Sequence, residues 1–145
     1  MNEIFIEYDT FGSTDSEPAL LIMGLGAQLV FWEEEFCEAL AKSGFYVIRF
    51  DNRDCGLSTK FDDSGVPDLQ TIMSEVSSGR ALDLPYTMED LADDSVGLLD
   101  ALEIQSAHFV GASMGGMIAQ TAGWRHKERA RSITSIMSTT GDPSL

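Results

Sequence analysis

The segment Gly111-Ala112-Ser113-Met114-Gly115-Gly116 constrains the fold more than any other part of the chain. It follows a short apolar run, Ala107 to Val110, and opens an amphipathic stretch. A G-x-S-x-G pattern in that setting reads as a strand, a sharp turn and a helix in succession. So tight a turn leaves no room for side chains at Gly111 and Gly115. Ser113 is then presented at the carboxyl end of a strand and the N-terminus of a helix. The dipole and free N–H groups there favour a developing anion. Such a serine is a candidate nucleophile; the alternative is a structural turn serine, although an ordinary turn would not require both glycines. Only about 30 residues follow the elbow, and a Ser-His-acid triad draws its other members from well beyond such a point.

The rest of the chain alternates strand and helix signals. Ile4 to Tyr8 alternates apolar and polar residues, as a half-buried strand does. Ala19 to Met23 is a continuous apolar run, as in a parallel strand covered on both faces, and Gly24-Leu25-Gly26 breaks it. Trp32, Phe36, Ala39 and Leu40 share one helical face, with Glu33, Glu34 and Glu35 in the first turns and Gly44 at the end. Phe45 to Phe50 is the next strand, and 52–86 is the least regular stretch. Thr87 is placed to N-cap a helix whose buried face is Met88, Leu91, Ala92, Val96, Leu99 and Leu102. A strand over 107–110, a helix from Ser113 to about Arg125 and a strand from Ser132 to Met137 complete the order. This pattern predicts an α/β fold of one domain over 1–145, a mainly parallel sheet with helices on both faces.

A chain of 145 residues is long enough to bury a sizeable core. No run approaches the ~20 apolar residues a membrane span needs. The start Met1-Asn2-Glu3 lacks the basic opening and apolar core of a signal peptide, so a cytoplasmic location is expected. Cys37 and Cys55 suit a reducing compartment, are not at metal-ligand spacing, and read as packing or incidental residues. The net charge of −15 argues against nucleic acid and anionic membrane surfaces as partners. It is uneven: 22 acidic and five basic residues lie up to Ile104, against two acidic and four basic beyond it. Arg125, Lys127, Arg129 and Arg131 form either a solvated helix end or a surface that meets an acidic face of another subunit.

With the elbow and its neighbours in hand, the chain resembles the N-terminal half of an α/β-hydrolase, and is most similar to the aclacinomycin methylesterase-like group. Five pieces carry the resemblance. They are Leu21-Ile22-Met23-Gly24, Asp51-Asn52-Arg53-Asp54-Cys55-Gly56-Leu57-Ser58, the helix from Thr87 to Leu102, the elbow, and the ending from Met137 to Leu145. The resemblance implies a truncated hydrolase core lacking the cap and last strands, with Ser113 as nucleophile. It implies oxyanion donors at the backbone N–H groups of Met114 and Leu25, two of which aimed at one point suit a tetrahedral oxyanion. It implies no cofactor. Asp54 stands where the family's D-x-R-G-x-G-x-S loop usually has glycine, and Ala112 where many members have histidine. The family's catalytic acid and histidine lie on later strands that this chain does not include.

Neither histidine can serve Ser113 within one chain. His108 lies five residues earlier on the incoming strand, well over ~10 Å away at ~3.3 Å per residue. His126 lies thirteen residues down the helix, ~20 Å away. They read as a packed strand residue and a helix-end residue. Asp142 follows the last strand, where some distant α/β-hydrolases place their acid, but a turn before Pro143 accounts for it.

The leading expectation is a serine carboxylic-ester hydrolase acting through an acyl-enzyme on a small-molecule ester, its base and acid not supplied by the same chain. The competing readings are a non-catalytic assembly or binding module and a truncated reading of a longer hydrolase. A final strand, Ser132 to Met137, without a further neighbour would be a template for strand addition, so a homo-oligomer through that edge is also expected.

Overall fold

The computed structural model describes residues 4–140 apart from 67, 81 and 83. A five-stranded sheet runs through it in the order β1-β3-β2-β4-β5. The strands are β1 Tyr8–Phe11, β2 Glu17–Ile22, β3 Phe45–Phe50, β4 Ala107–Ala112 and β5 Ala130–Ile136. Only β1 is antiparallel, to β3; the pairs β2–β3, β2–β4 and β4–β5 are parallel. Four α-helices join them: α1 Glu34–Lys42, α2 Leu69–Ser77, α3 Met88–Ala101 and α4 Met114–Arg125.

Alternation along the central strands divides the core in two. Leu20, Ile22, Ile48, Phe50 and Phe109 pack with Leu91, Val96 and Leu99 of α3 and with Ile118, Ala119 and Ala122 of α4. Leu21, Val47 and Ala112 point the other way, onto Trp32 and onto Cys37 of α1. Helices therefore cover both faces, as the continuous apolar run in β2 requires. Leu20, Leu21 and Ile22 are all fully buried, each side chain stabilising the fold by roughly 1.5–3 kcal/mol. The two cysteines are buried and unlinked. No helix among the described residues is long and apolar enough to cross a membrane.

Some boundaries differ from the sequence expectation. The first strand begins at Tyr8 rather than ending there. Its partner β3 stops at Phe50, so residues 5–7 lie past the sheet and bond to the following loop, Asp51 N–H to Glu7 carbonyl and Thr59 N–H to Phe5 carbonyl. The stretch 52–86 contains a helix that was expected to be irregular. Asp68 caps α2 by accepting from Gln70 N–H at 3.1 Å. Met73 and Val76 on that helix are 70% and 60% exposed, so it presents no buried stripe. Thr87 caps α3 as expected, in a reciprocal capping box with Asp90. Strand β5 starts two residues earlier than expected and ends one earlier.

Candidate active site

The site is assembled where three strand-to-helix connections meet at the carboxyl ends of β2, β3 and β4. Ser113 joins β4 to α4 with φ 55° and ψ −122°. A non-glycine residue in that conformation costs of order 1–3 kcal/mol and persists only when its surroundings impose it. The surroundings here are backbone. A Cβ on Gly111 would fall 2.0 Å from the Gly115 carbonyl oxygen, and one on Gly115 would fall 2.1 Å from that of Ile22. Ser113 N–H donates to the Ile136 carbonyl at 2.9 Å, and the Ser113 carbonyl accepts from Gly116 N–H at 2.9 Å. A capping serine ordinarily spends its hydroxyl on the first free N–H groups of the helix. Ser113 does not; it is the N-cap of α4 without a side-chain capping bond, and it is exposed.

The connection after β2 faces it. Gly24 sits so close that an added Cβ would lie 3.0 Å from Ser113 Cβ. Leu25 follows on a loop that turns back through the Ala27 N–H to Gly24 carbonyl bond, 3.2 Å, and its side chain is 83% exposed. Met114 opens α4, so its N–H has no acceptor within the helix. Gly24, Leu25 and Met114 all border one cavity of about 150 Å³. Leu25 and Met114 thus share one cavity, and Ser113, which is not among its lining residues, adjoins it through Met114 and the Gly24 approach.

The connection after β3 holds the β2 loop in place. Asn52 Nδ2 donates to the Met23 carbonyl at 3.0 Å. Asp51 Oδ1 accepts from Leu29 N–H at 2.7 Å, and its Oδ2 from Leu57 N–H at 2.8 Å. Cys55 Sγ donates to the Ala27 carbonyl at 3.1 Å. Asp54, in the family's glycine position, adopts φ 62°, which explains why glycine is usual there. Its carboxylate accepts from Phe61 N–H at 2.6 Å, a bond that glycine could not make. Beneath the loop, Arg53 donates from Nε and Nη2 to the two Asp94 oxygens at 2.6 and 2.7 Å. Its guanidinium also lies against the Phe61 and Tyr86 rings. Burial opposes the Arg53 charge, but the Asp94 carboxylate outweighs it and holds the guanidinium above its ordinary pKa.

The histidines are engaged elsewhere. His108 Nδ1 lies 2.7 Å from Ser132 Oγ, and its ring meets Phe45 edge-on. His126 Nε2 lies 2.6 Å from Asp93 Oδ1 at the far end of α4, a helix of 12 residues and so ~18 Å long. Asp142 lies outside the described residues. Three arginines of the basic stretch are tied within the chain: Arg125 to Asp93, Arg129 to Asp100 and Arg131 to Glu17. What the sequence missed is the triple tie from Asp51, Asn52 and Cys55 to the β2 loop, since no spacing in the sequence marks it.

Comparison with known proteins agrees with this fold. A family described as "alpha/beta hydrolase fold" matches residues 18–145. The chain belongs to the α/β-hydrolase family. The rhodomycin D methylesterase DauP of Streptomyces sp. strain C5 is 32% identical over 136 residues, covering 94% of this chain and 40% of that protein. A carboxylesterase structure from Nitrososphaera gargenis superposes with a TM-score of 0.74 at 27% identity, covering 94% of this chain and 43% of that one. The enol-lactonase from Burkholderia xenovorans LB400 gives 0.67 at 30% identity, covering 89% and 42%. The chain spans about 40% of the length of the curated relatives it matches.

Proposed function

We propose that this chain carries the nucleophile and oxyanion hole of a serine carboxylic-ester hydrolase. The observation that carries the reading is Ser113 itself. It is held at φ 55° with a hydroxyl not spent on capping its helix, and Gly24 sits against it. In this reaction Ser113 Oγ bonds to the ester carbonyl carbon while its proton passes to a base. The carbonyl oxygen becomes an oxyanion, held by the N–H groups of Leu25 and Met114. Collapse breaks the bond to the alcohol oxygen, which takes the proton and leaves. Water then releases the acid from the acyl-enzyme and restores Ser113. The base and its orienting acid come from polypeptide outside the described residues, because His108 and His126 are both committed elsewhere. With oxyanion hole and binding alone, catalysis reaches ~10³-fold over water, which suits activated, short esters. The substrate in this reading is a small-molecule ester.

Hydrolysis of p-nitrophenyl acetate by the wild-type chain and by Ser113→Ala tests this. The expected result is loss of turnover in the variant; equal rates would remove Ser113 from the mechanism. A second reading, an assembly module, is favoured by one observation. Strand β5 has a neighbour on one side only among the described residues, and residues 131–135 on it are exposed.

A further inference from the structure

The cavity that borders Leu25 and Met114 is also lined by Cys55, Tyr86 and Leu91, with Arg53 in its wall. We propose that it is an acyl pocket for short, uncharged, apolar acyl groups, an inference that rests on Ser113 being the nucleophile. Position supports it first. A carbonyl oxygen held by the Leu25 and Met114 N–H groups has its carbon one bond away from a space those same residues line. Either substituent of that carbon could point inward, and proton chemistry decides between them. A departing alcohol oxygen needs a proton from a nearby acid.

Among the described residues, the cavity wall offers no acid for that task. Arg53 is held in its charged form by Asp94. The Tyr86 hydroxyl is pushed up to about 12 by burial and by its bond to Asp54. Burial, with the Asp51 charge adding to it, raises the Cys55 thiol, which is already bonded to the Ala27 carbonyl. Asp54 is an acceptor, occupied by Phe61 N–H. The alcohol therefore leaves toward the exposed side of Ser113, and the acyl group occupies the cavity.

Size and charge define that group. An apolar cavity of ~150 Å³ holds about one benzene-sized molecule, so the volume of about 150 Å³ here takes an acyl chain of roughly four to six carbons. Arg53, the one cation in the wall among the described residues, has Nε and Nη2 taken up by Asp94, so its charge is already paired and does not favour a charged acyl group.

The test is the acyl-length profile of p-nitrophenyl acetate, butyrate and octanoate in wild type, Leu91→Ala and Cys55→Leu. A series of alcohol lengths on butyrate esters serves for comparison. Leu91→Ala lengthens the cavity and should raise octanoate relative to butyrate by about tenfold. Cys55→Leu fills it and should lower butyrate relative to acetate by a similar factor. Both changes should leave the alcohol-length profile where it is. Each variant is checked by circular dichroism, and one folded variant suffices to read the profile. Ser113-dependent turnover with an unmoved acyl profile, or with a shift in the alcohol series instead, overturns the pocket alone. Turnover that survives Ser113→Ala, or none in the wild type, overturns the nucleophile reading and the pocket with it.

Discussion

Gly24 faces Ser113 so closely that a methyl group on its α-carbon would lie 3.0 Å from Ser113 Cβ, 3.1 Å from the Ala112 carbonyl oxygen and 3.5 Å from Ser113 Oγ. The three contacts are with the elbow, and two of the atoms belong to the candidate nucleophile. An added side chain has to be absorbed by a shift of a few tenths of an ångström in the β2 loop. The same loop carries the Leu25 N–H.

Gly24→Ala therefore acts on chemistry more than on folding. The expected outcome is a fall in kcat of about tenfold to a hundredfold, below the ~10²–10³ for outright loss of an oxyanion donor. The melting temperature should stay close to wild type, because the loop is tied at Met23, Ala27 and Leu29 and yields only between those ties. Steady-state kinetics on p-nitrophenyl acetate with a parallel thermal melt distinguishes the two effects. An unfolded Gly24→Ala would show that the contact is part of the core.

Arg53 and Asp94 lie under the site with side chains 1% and 7% exposed. Removing one partner leaves the other charge buried and alone, which costs about 3–5 kcal/mol. Arg53→Ala and Asp94→Ala should each lower the unfolding free energy read from a urea titration by an amount in that range. Replacing both, Arg53→Met with Asp94→Leu, should recover most of the loss, because it removes both desolvation costs. A double variant no more stable than the single ones would mean that the stacking of Arg53 on Phe61 and Tyr86 matters more than the charge pair.

Asp93, inside α3, ties that helix to the C-terminal end of α4 through Arg125 and His126. The Arg125 guanidinium, and after it the His126 ring, hold its carboxyl below the ordinary aspartate range, against some opposing burial. A carboxylate whose folded pKa is depressed contributes stability that is fully present above the unfolded value of ~3.9. That contribution is lost as pH falls through the folded value. Urea unfolding of the wild type between about pH 5 and pH 3 should therefore weaken more steeply than that of Asp93→Asn. Parallel pH dependences in the two proteins would assign the acid sensitivity to other carboxylates.

The elements most legible in the sequence were those fixed by local chemistry. Gly111 and Gly115 are demanded by backbone approaches of about 2 Å, and the pattern that reports them is short and contiguous. Thr87 and Asp90 announce α3 because a capping box is local too. Strand β3 was legible because it is buried on both faces along its length. The start of β1 was not, since alternation in Ile4 to Tyr8 cannot show where a distant partner ends. Helix α2 was missed although Leu69, Ile72, Met73 and Val76 recur at helical spacing, because the helix is short and Pro67, Gly65 and Gly79 around it made the whole stretch read as irregular. The ties from Asp51, Asn52 and Cys55 cross 22 to 29 residues of sequence, so only the fold brings them together.

The outer edge of β5 is the place to look for self-association, and its backbone parity sets the test. The Ile136 carbonyl accepts from Ser113 N–H on the β4 side. In a strand the N–H and C=O of one residue point the same way and successive residues alternate. Ser132, Thr134 and Ile136 therefore face β4, and Ile133 and Ser135 face outward. A proline at Thr134 would break the β4–β5 ladder itself; Ser135→Pro removes an outward donor and leaves that ladder intact. Arginine side chains do little to recruit a partner, since Arg125, Arg129 and Arg131 are paired within the chain. Pairing of unsatisfied backbone groups and cover for Ile133 and Met137, 41% and 85% exposed, are the driving terms. Two copies each carrying a net charge of −15 repel, so association should strengthen as salt screens them. The expected result is a homo-oligomer by light scattering at micromolar concentration, larger in mass at higher salt and reduced by Ser135→Pro; Ile136→Lys does not test the edge, because Ile136 packs against the core. A well-folded monomer at that concentration across the salt series would sink the proposal.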